Sequence, residues 1–179
     1  MPAHTAPARI ELSIRDIGQL WQSLDPLPFR ERELDAEVEA WLVGSVAEMA
    51  HRGPIEILVK LPQGEAERDE AAHVAEAFRN HFLYRAEVVS GELRELFRNG
   101  RAFLALGLAV LAGCTLAAQL VARLPGVVFG RFFEEGLIIL GWVANWHPIQ
   151  IFLYGWQPLV RRRRILRRLA EASVRLVGS

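Results

Sequence analysis

The sequence predicts a small α+β domain, read β-α-α-β-α, followed by an α-helical two-span transmembrane hairpin. Three observations carry that reading. Ala102 to Ala122 is 21 residues without a formal charge, and about 20 such residues cross the ~30 Å hydrocarbon core as a helix. Leu124-Pro125-Gly126 then breaks the helix, and a second apolar stretch runs back toward Arg161-Arg162-Arg163-Arg164. Ahead of both lie short alternating and helical patterns of a soluble kind.

The first is Arg9 to Arg15, where Ile10, Leu12 and Ile14 fall on one face, the period of a half-buried strand. Asp16 is placed to cap a short helix through Leu24, with Ile17, Leu20 and Trp21 inward. In Ser23 to Asp35, Pro26 and Pro28 fix an extended turn. Asp35 caps a helix from Ala36 to about Ala50, with Glu37 and Glu39 in its positive first turn. Its apolar stripe is Val38, Trp41, Leu42, Ser45, Val46 and Met49. Ile55 to Leu61 is the second strand. From Glu65 a helical pattern begins, interrupted mainly at Ser90-Gly91, with helix able to continue into the first span. Two strands make a marginal sheet unless helices cover it or a second copy extends it, which is an argument for a homo-oligomer.

Residues 1–8 are expected to be a flexible N-terminus, 9–101 the cytoplasmic domain and helical stalk, 102–158 the hairpin with an interfacial segment, and 159–179 a basic amphipathic tail. Charge divides along the same lines. Residues 1–101 hold 12 Lys+Arg against 18 Asp+Glu, a net of −6, whereas 159–179 hold seven Arg against one Glu, a net of +6. An acidic domain argues against a nucleic-acid partner, whose phosphates need clustered cations. Arg94, Arg98 and Arg101 precede the first span and the arginine run follows the second, so the positive-inside bias puts both termini in the cytoplasm. The N-terminus has no basic region leading into an apolar core, so no signal peptide is expected. Cys114, the single cysteine, reads as a small packing residue.

Small residues recur every fourth position in the first span, at Ala105, Ala109, Gly113 and Ala117, a face that lets another backbone approach closely. The partner is either the second span or another protomer. The polar groups at membrane depth are Gln119, Arg131, Glu134, Glu135, Asn145 and His147. Arg131 and Glu135 are four apart and can pair along one helix face. The second span starts either near Val127, ending near Trp146, or at Gly136, ending near Gln157; the first is preferred. Pro148 suits the first position of a new helix, with Gln150 reaching back as a cap, so that Ile149 to Tyr154 lies on the inner leaflet. Trp142, Trp146, Tyr154 and Trp156 would form the aromatic belt there. The competing reading makes His147 a proton-relay or pore residue. In the tail, Ile165, Leu169, Ala172 and Leu176 line one face, leaving Arg161, Arg162, Arg163, Arg164, Arg167 and Arg168 to meet anionic lipid headgroups.

Catalysis is not expected. Asp25, Glu31, Glu33 and Asp35 crowd together with Arg30 and Arg32 between them, either a functional cluster or a salt-bridged turn. No GxSxG, HExxH or phosphate loop accompanies them, and His73 and His81 are two helical turns apart. No cofactor or metal site is expected either. The run Ser23-Leu-Asp-Pro-x-Pro-Phe-Arg-Glu-Arg32, with Gly136-Leu-Ile-Ile-Leu-Gly-Trp-Val-Ala144 and Trp146-x-Pro-x-x-Ile-Phe-Leu-Tyr154, resembles a family of small, uncharacterised bacterial two-span inner-membrane proteins. That resemblance implies a bacterial plasma-membrane location and no particular chemistry. The expected role is a self-associating, membrane-tethered binding or regulatory protein with an unknown protein partner. The alternative is a subunit of a homo-oligomeric channel or transporter.

Overall fold

The computed structural model describes residues 7–21, 33–49, 53–62, 73–123 and 130–178. The Ser23–Arg32 run and the Leu124-Pro125-Gly126 turn lie outside them. The chain is mostly helical and carries a three-stranded parallel sheet. Strand β1 is Ala8–Ser13, β2 is Ile55–Leu61 and β3 is Ser173–Gly178, in the order β1-β2-β3. The helices are α1 (Ala36–Glu48), α2 (Val74–Ala122), α3 (Gly130–Ala144), α4 (Trp146–Gln150) and α5 (Gln157–Ala170), with a π-helical turn at Ile151–Gly155 between the last two.

The third strand corrects the two-strand expectation and removes its argument for a second copy. Ser173-Val-Arg-Leu-Val177 alternates with period 2 and pairs in parallel with β2, Ile57 opposite Val174 and Val59 opposite Leu176. On the other side β1 puts Ile10 opposite Ile57 and Leu12 opposite Val59. The central strand is thus hydrogen-bonded on both edges, and Ile57, Val59 and Leu61 are fully buried.

Contacts divide the chain into two units, Met1–Val89 with Arg161–Ser179, and Ser90–Val160. The first is a domain interrupted in sequence: the β2-to-β3 crossover contains the whole apolar stretch. Its core joins the sheet to Phe78 and Phe82 of α2, Leu42 and Val46 of α1, and Leu166 and Leu169 of α5. Trp21 stacks edge-on to Phe78 at 6.0 Å between ring centroids. Asp35 caps α1, its carboxylate accepting from the Glu37 N–H at 2.9 Å. Asp16 caps a shorter element than expected, a 3₁₀ turn at Ile17–Leu20. Trp21 bridges Leu34, so the ends flanking the proline-rich run are pinned together.

In place of a lipid-facing tail, Arg161–Ser179 belongs to this unit. Ile165, Leu166, Leu169 and Ala170 of α5 are buried in its core. The amphipathic pattern is real, but protein covers its apolar face; the register expected through Ala172 and Leu176 fails because helix gives way to strand at Ser173.

Helix α2 runs 49 residues without interruption at Ser90-Gly91. Two helical runs, Val74–Ala122 and Gly130–Ala170, are long and apolar enough to cross a membrane. Only 11 % of the most apolar stretch in the first is buried and 22 % in the second, the opposite of a soluble protein's core helix.

Candidate functional site: a locked helix pair and a basic groove

Within Ser90–Val160 two helical segments meet along Gly100, Gly107, Leu111 and Cys114. A β-carbon on Gly100 would lie 3.0 Å from Ile151 Cγ2, one on Gly107 would lie 3.1 Å from Asn145 Cγ, and one on Gly141 would lie 3.1 Å from the Leu111 Cα. As the sequence advances on one side it recedes on the other, so the two segments are antiparallel. Gly100, Gly107 and Cys114 are spaced by seven, each followed four residues on by Leu104, Leu111 and Ala118, the seam of 3-4 helix packing. That periodicity is visible in the sequence.

The expected stripe of Ala105, Ala109, Gly113 and Ala117 lies off this seam. Ala105, Ala109 and Gly113 are exposed, Ala117 is half-buried, and nothing lies within 4 Å of a β-carbon on Gly113. Of the two partners weighed for it, the second span is therefore not the one it meets.

Asn145 locks the pair. It is 4 % exposed, and its amide nitrogen donates to Gly107 O at 3.1 Å and to Gly141 O at 3.0 Å. The regular helix ends here because residue 148 is proline: Ala144 O would accept from the residue-148 N–H, which proline lacks. Ala144 O and Asn145 Oδ1 both face the position a Gly107 β-carbon would take, at 3.2 and 2.7 Å. A glycine Cα–H points there instead, the weak donor found at close helix contacts. Helix α4 begins at Trp146 with Asn145 as its N-cap and no side-chain cap bond, so Pro148 is its third residue instead of the expected first and the expected cap by Gln150 is not formed.

The remaining polar candidates are not gathered. Arg131 pairs with Glu135 at 3.3 Å on an exposed face, Glu134 is half-buried, and Gln119 is exposed. Asn145 bonds at the level of Gly107, twelve residues from Gln119, about 18 Å along a helix axis. His147 is exposed and its ring packs edge-on to Phe103, 5.4 Å between centroids. Trp142, Trp146 and Tyr154 are each more than 60 % exposed. Among the described residues no cluster of His, Cys, Asp or Glu could hold a metal.

In the other unit, besides the ion pairs of the sheet at Glu56 and Lys60, two polar arrangements join residues that sequence spacing did not bring together. In the first, the His81 Nδ1 accepts the Leu34 N–H at 3.3 Å and its Nε2 meets Glu39 Oε2 at 3.1 Å. Arg85 donates to Glu39 Oε1 at 2.9 Å. His81 and Arg85 are four apart on α2, the only signal available beforehand. Burial lowers the His81 pKa below its ordinary 6.5; Glu39 opposes that by hydrogen bond and charge, Arg85 adds to it, and Glu33 opposes it. Neutral His81 accepts from Leu34 and donates to Glu39, whereas protonation puts a second N–H against Leu34 N–H. The folded pKa is the lower one, so this stabilisation is complete above 6.5 and is lost as pH falls from there toward the depressed value. The thermal midpoint should therefore decline on acidification from pH 7.5 to 5, with a shallower slope in His81→Gln.

In the second arrangement, α5 and the last turn of α1 form a groove of about 550 Å³ lined by Val46, Ala47, Met49, Arg161, Arg164, Ile165 and Arg168. Arg161 donates to Ala47 O at 3.4 Å, and Arg168 to Gly53 O at 3.2 Å. An arginine beside a C-terminal carbonyl of α1, as Arg161 is beside Ala47 O, is electrostatically favourable.

No protein-family model, curated protein or solved structure matches the chain.

Proposed function

We propose that this chain is a self-associating membrane protein whose interrupted α/β unit is a binding or regulatory module held at the surface of the bacterial inner membrane. One observation carries the reading. Strand β3, which follows the apolar stretch, lies hydrogen-bonded beside β2, which precedes it. Segments in one sheet share one side of a bilayer, so the stretch between them crosses an even number of times. Two helical runs of sufficient length and apolarity make that number two. The arginines flanking the hairpin favour a cytoplasmic α/β unit. The exposed Trp142, Trp146 and Tyr154 suit a membrane boundary, and the unfilled Ala105–Gly113 face suits a second copy. The polar groups a pore would need are not brought together, so the channel alternative has no comparable support.

The test is thiol labelling of whole cells in a Cys114→Ala background. Arg123→Cys should react with an impermeant reagent, and Ala172→Cys should react only after permeabilisation. The reverse pattern would overturn the orientation, and labelling of both or neither in intact cells would overturn the hairpin. For self-association, Gly113→Leu should lower the detergent-corrected mass by light scattering; an unchanged oligomer would remove that interface.

A further inference from the structure

We infer that the groove between α1 and α5 is a binding site for a phosphate-bearing anion, which names the ligand class of the binding module proposed above and rests on that reading for its physiological setting. Helix α5 holds six arginines and no acidic residue in Gln157–Ala170. Three of them, Arg161, Arg164 and Arg168, share the groove at spacings of three and four. Arg161 donates to the Ala47 carbonyl and Arg168 to the Gly53 carbonyl, which holds both side chains at the groove, and a guanidinium has five N–H donors in all. Arg164 stands between them with no hydrogen-bond or ion-pair partner among the described residues.

If the cluster served only to satisfy the Ala47 and Gly53 carbonyls, Arg164 would have nothing to do. Three guanidinium groups around one cavity match an anion with at least three oxygens, and Arg binds phosphate in a planar, bidentate manner. The cavity volume, about 550 Å³, falls in the range of small-molecule sites, roughly 300–1,000 Å³. Val46, Met49 and Ile165 supply an apolar wall, so the ligand has room for an aliphatic portion beside its phosphate. A phospholipid headgroup with its glycerol and a free phosphate are the two sources of that chemistry.

The experiment uses the full chain in an uncharged detergent, titrated with dihexanoyl phosphatidylglycerol and separately with inorganic phosphate. Saturable binding of at least one probe is expected. Arg164→Gln should weaken it about tenfold, the scale of one lost charge-assisted contact, with the unliganded melting temperature unchanged. Arg162→Gln, exposed on the same helix and outside the groove, should bind as the parent does. Binding of the lipid probe alone identifies a headgroup site; equal binding of inorganic phosphate identifies a free anion. The inference is overturned if neither probe saturates, if Arg164→Gln binds like the parent, or if Arg162→Gln loses as much as Arg164→Gln, which would be diffuse charge attraction. Failure of the tether reading shows separately, as release of the chain from membranes by alkaline carbonate, and leaves binding in detergent intact.

Discussion

Leu166→Ala destabilises the α/β unit by about 2–5 kcal/mol, the usual cost of truncating a buried leucine, because Leu166 is fully enclosed. A small domain has only ~5–15 kcal/mol in total, so this is one of the two largest effects expected. Had α5 laid its apolar face on lipid, the same change would weaken membrane contact and leave the soluble core alone. Loss of cooperative melting, followed through the buried Trp21 beside Phe78, distinguishes the two. An unshifted midpoint would refute the placement of α5 in the core. Ending the chain after Ala172 should act in the same direction, since it strips β2 of every hydrogen bond to β3 and uncovers strands whose Ile57, Val59 and Leu61 are fully buried. Arg162→Ala, exposed on the same helix, should stay within about 0.5 kcal/mol.

The second large effect is expected at Gly141. Its β-carbon would stand 2.8 Å from Leu111 Cδ1, which can rotate away, but also 3.1 Å from Leu111 Cα, which belongs to the opposing backbone. Gly141→Leu must therefore separate the helices, and overpacking of this kind costs ~1–3 kcal/mol or more. Asn145→Leu should cost less, since hydrogen bonds between membrane helices average about 0.6 kcal/mol. Gly113→Leu, with nothing within 4 Å of its new β-carbon, should leave the pair intact. Spin labels at the exposed Leu106 and Leu140, in a Cys114→Ala background, should give one narrow distance in the parent and in Gly113→Leu and a broad one in Gly141→Leu. A narrow distance in Gly141→Leu would refute the close approach at that residue.

Much of the local structure was legible because it depends on neighbours in sequence. Asp35 precedes a helix and caps it; Ile10 and Leu12 alternate and form a strand; Arg131 and Glu135 are four apart and pair. The seam at Gly100, Gly107 and Cys114 is equally legible through its spacing of seven, but the four-residue series at Ala105, Ala109, Gly113 and Ala117 satisfies the same small-residue criterion, and spacing alone does not choose between them. The Glu39–His81–Arg85 network was not legible, since Glu39 and His81 are 42 residues apart. The basic groove was half legible: the arginines are obvious in sequence, whereas the wall formed by Val46 and Met49 comes from another element.

The sequence by itself determined two helical runs fit for a bilayer, since length, apolarity and missing charge are properties of a single segment. It also determined which helix is amphipathic and which face is basic. Only the tertiary structure decided what covers that apolar face. Lipid and a protein core present the same hydrocarbon to a helix, and no periodicity tells them apart. The deciding interaction is the pairing of β3 with β2 across the 111 residues that separate Leu61 from Ser173, which turns a basic tail into the closing half of an interrupted domain.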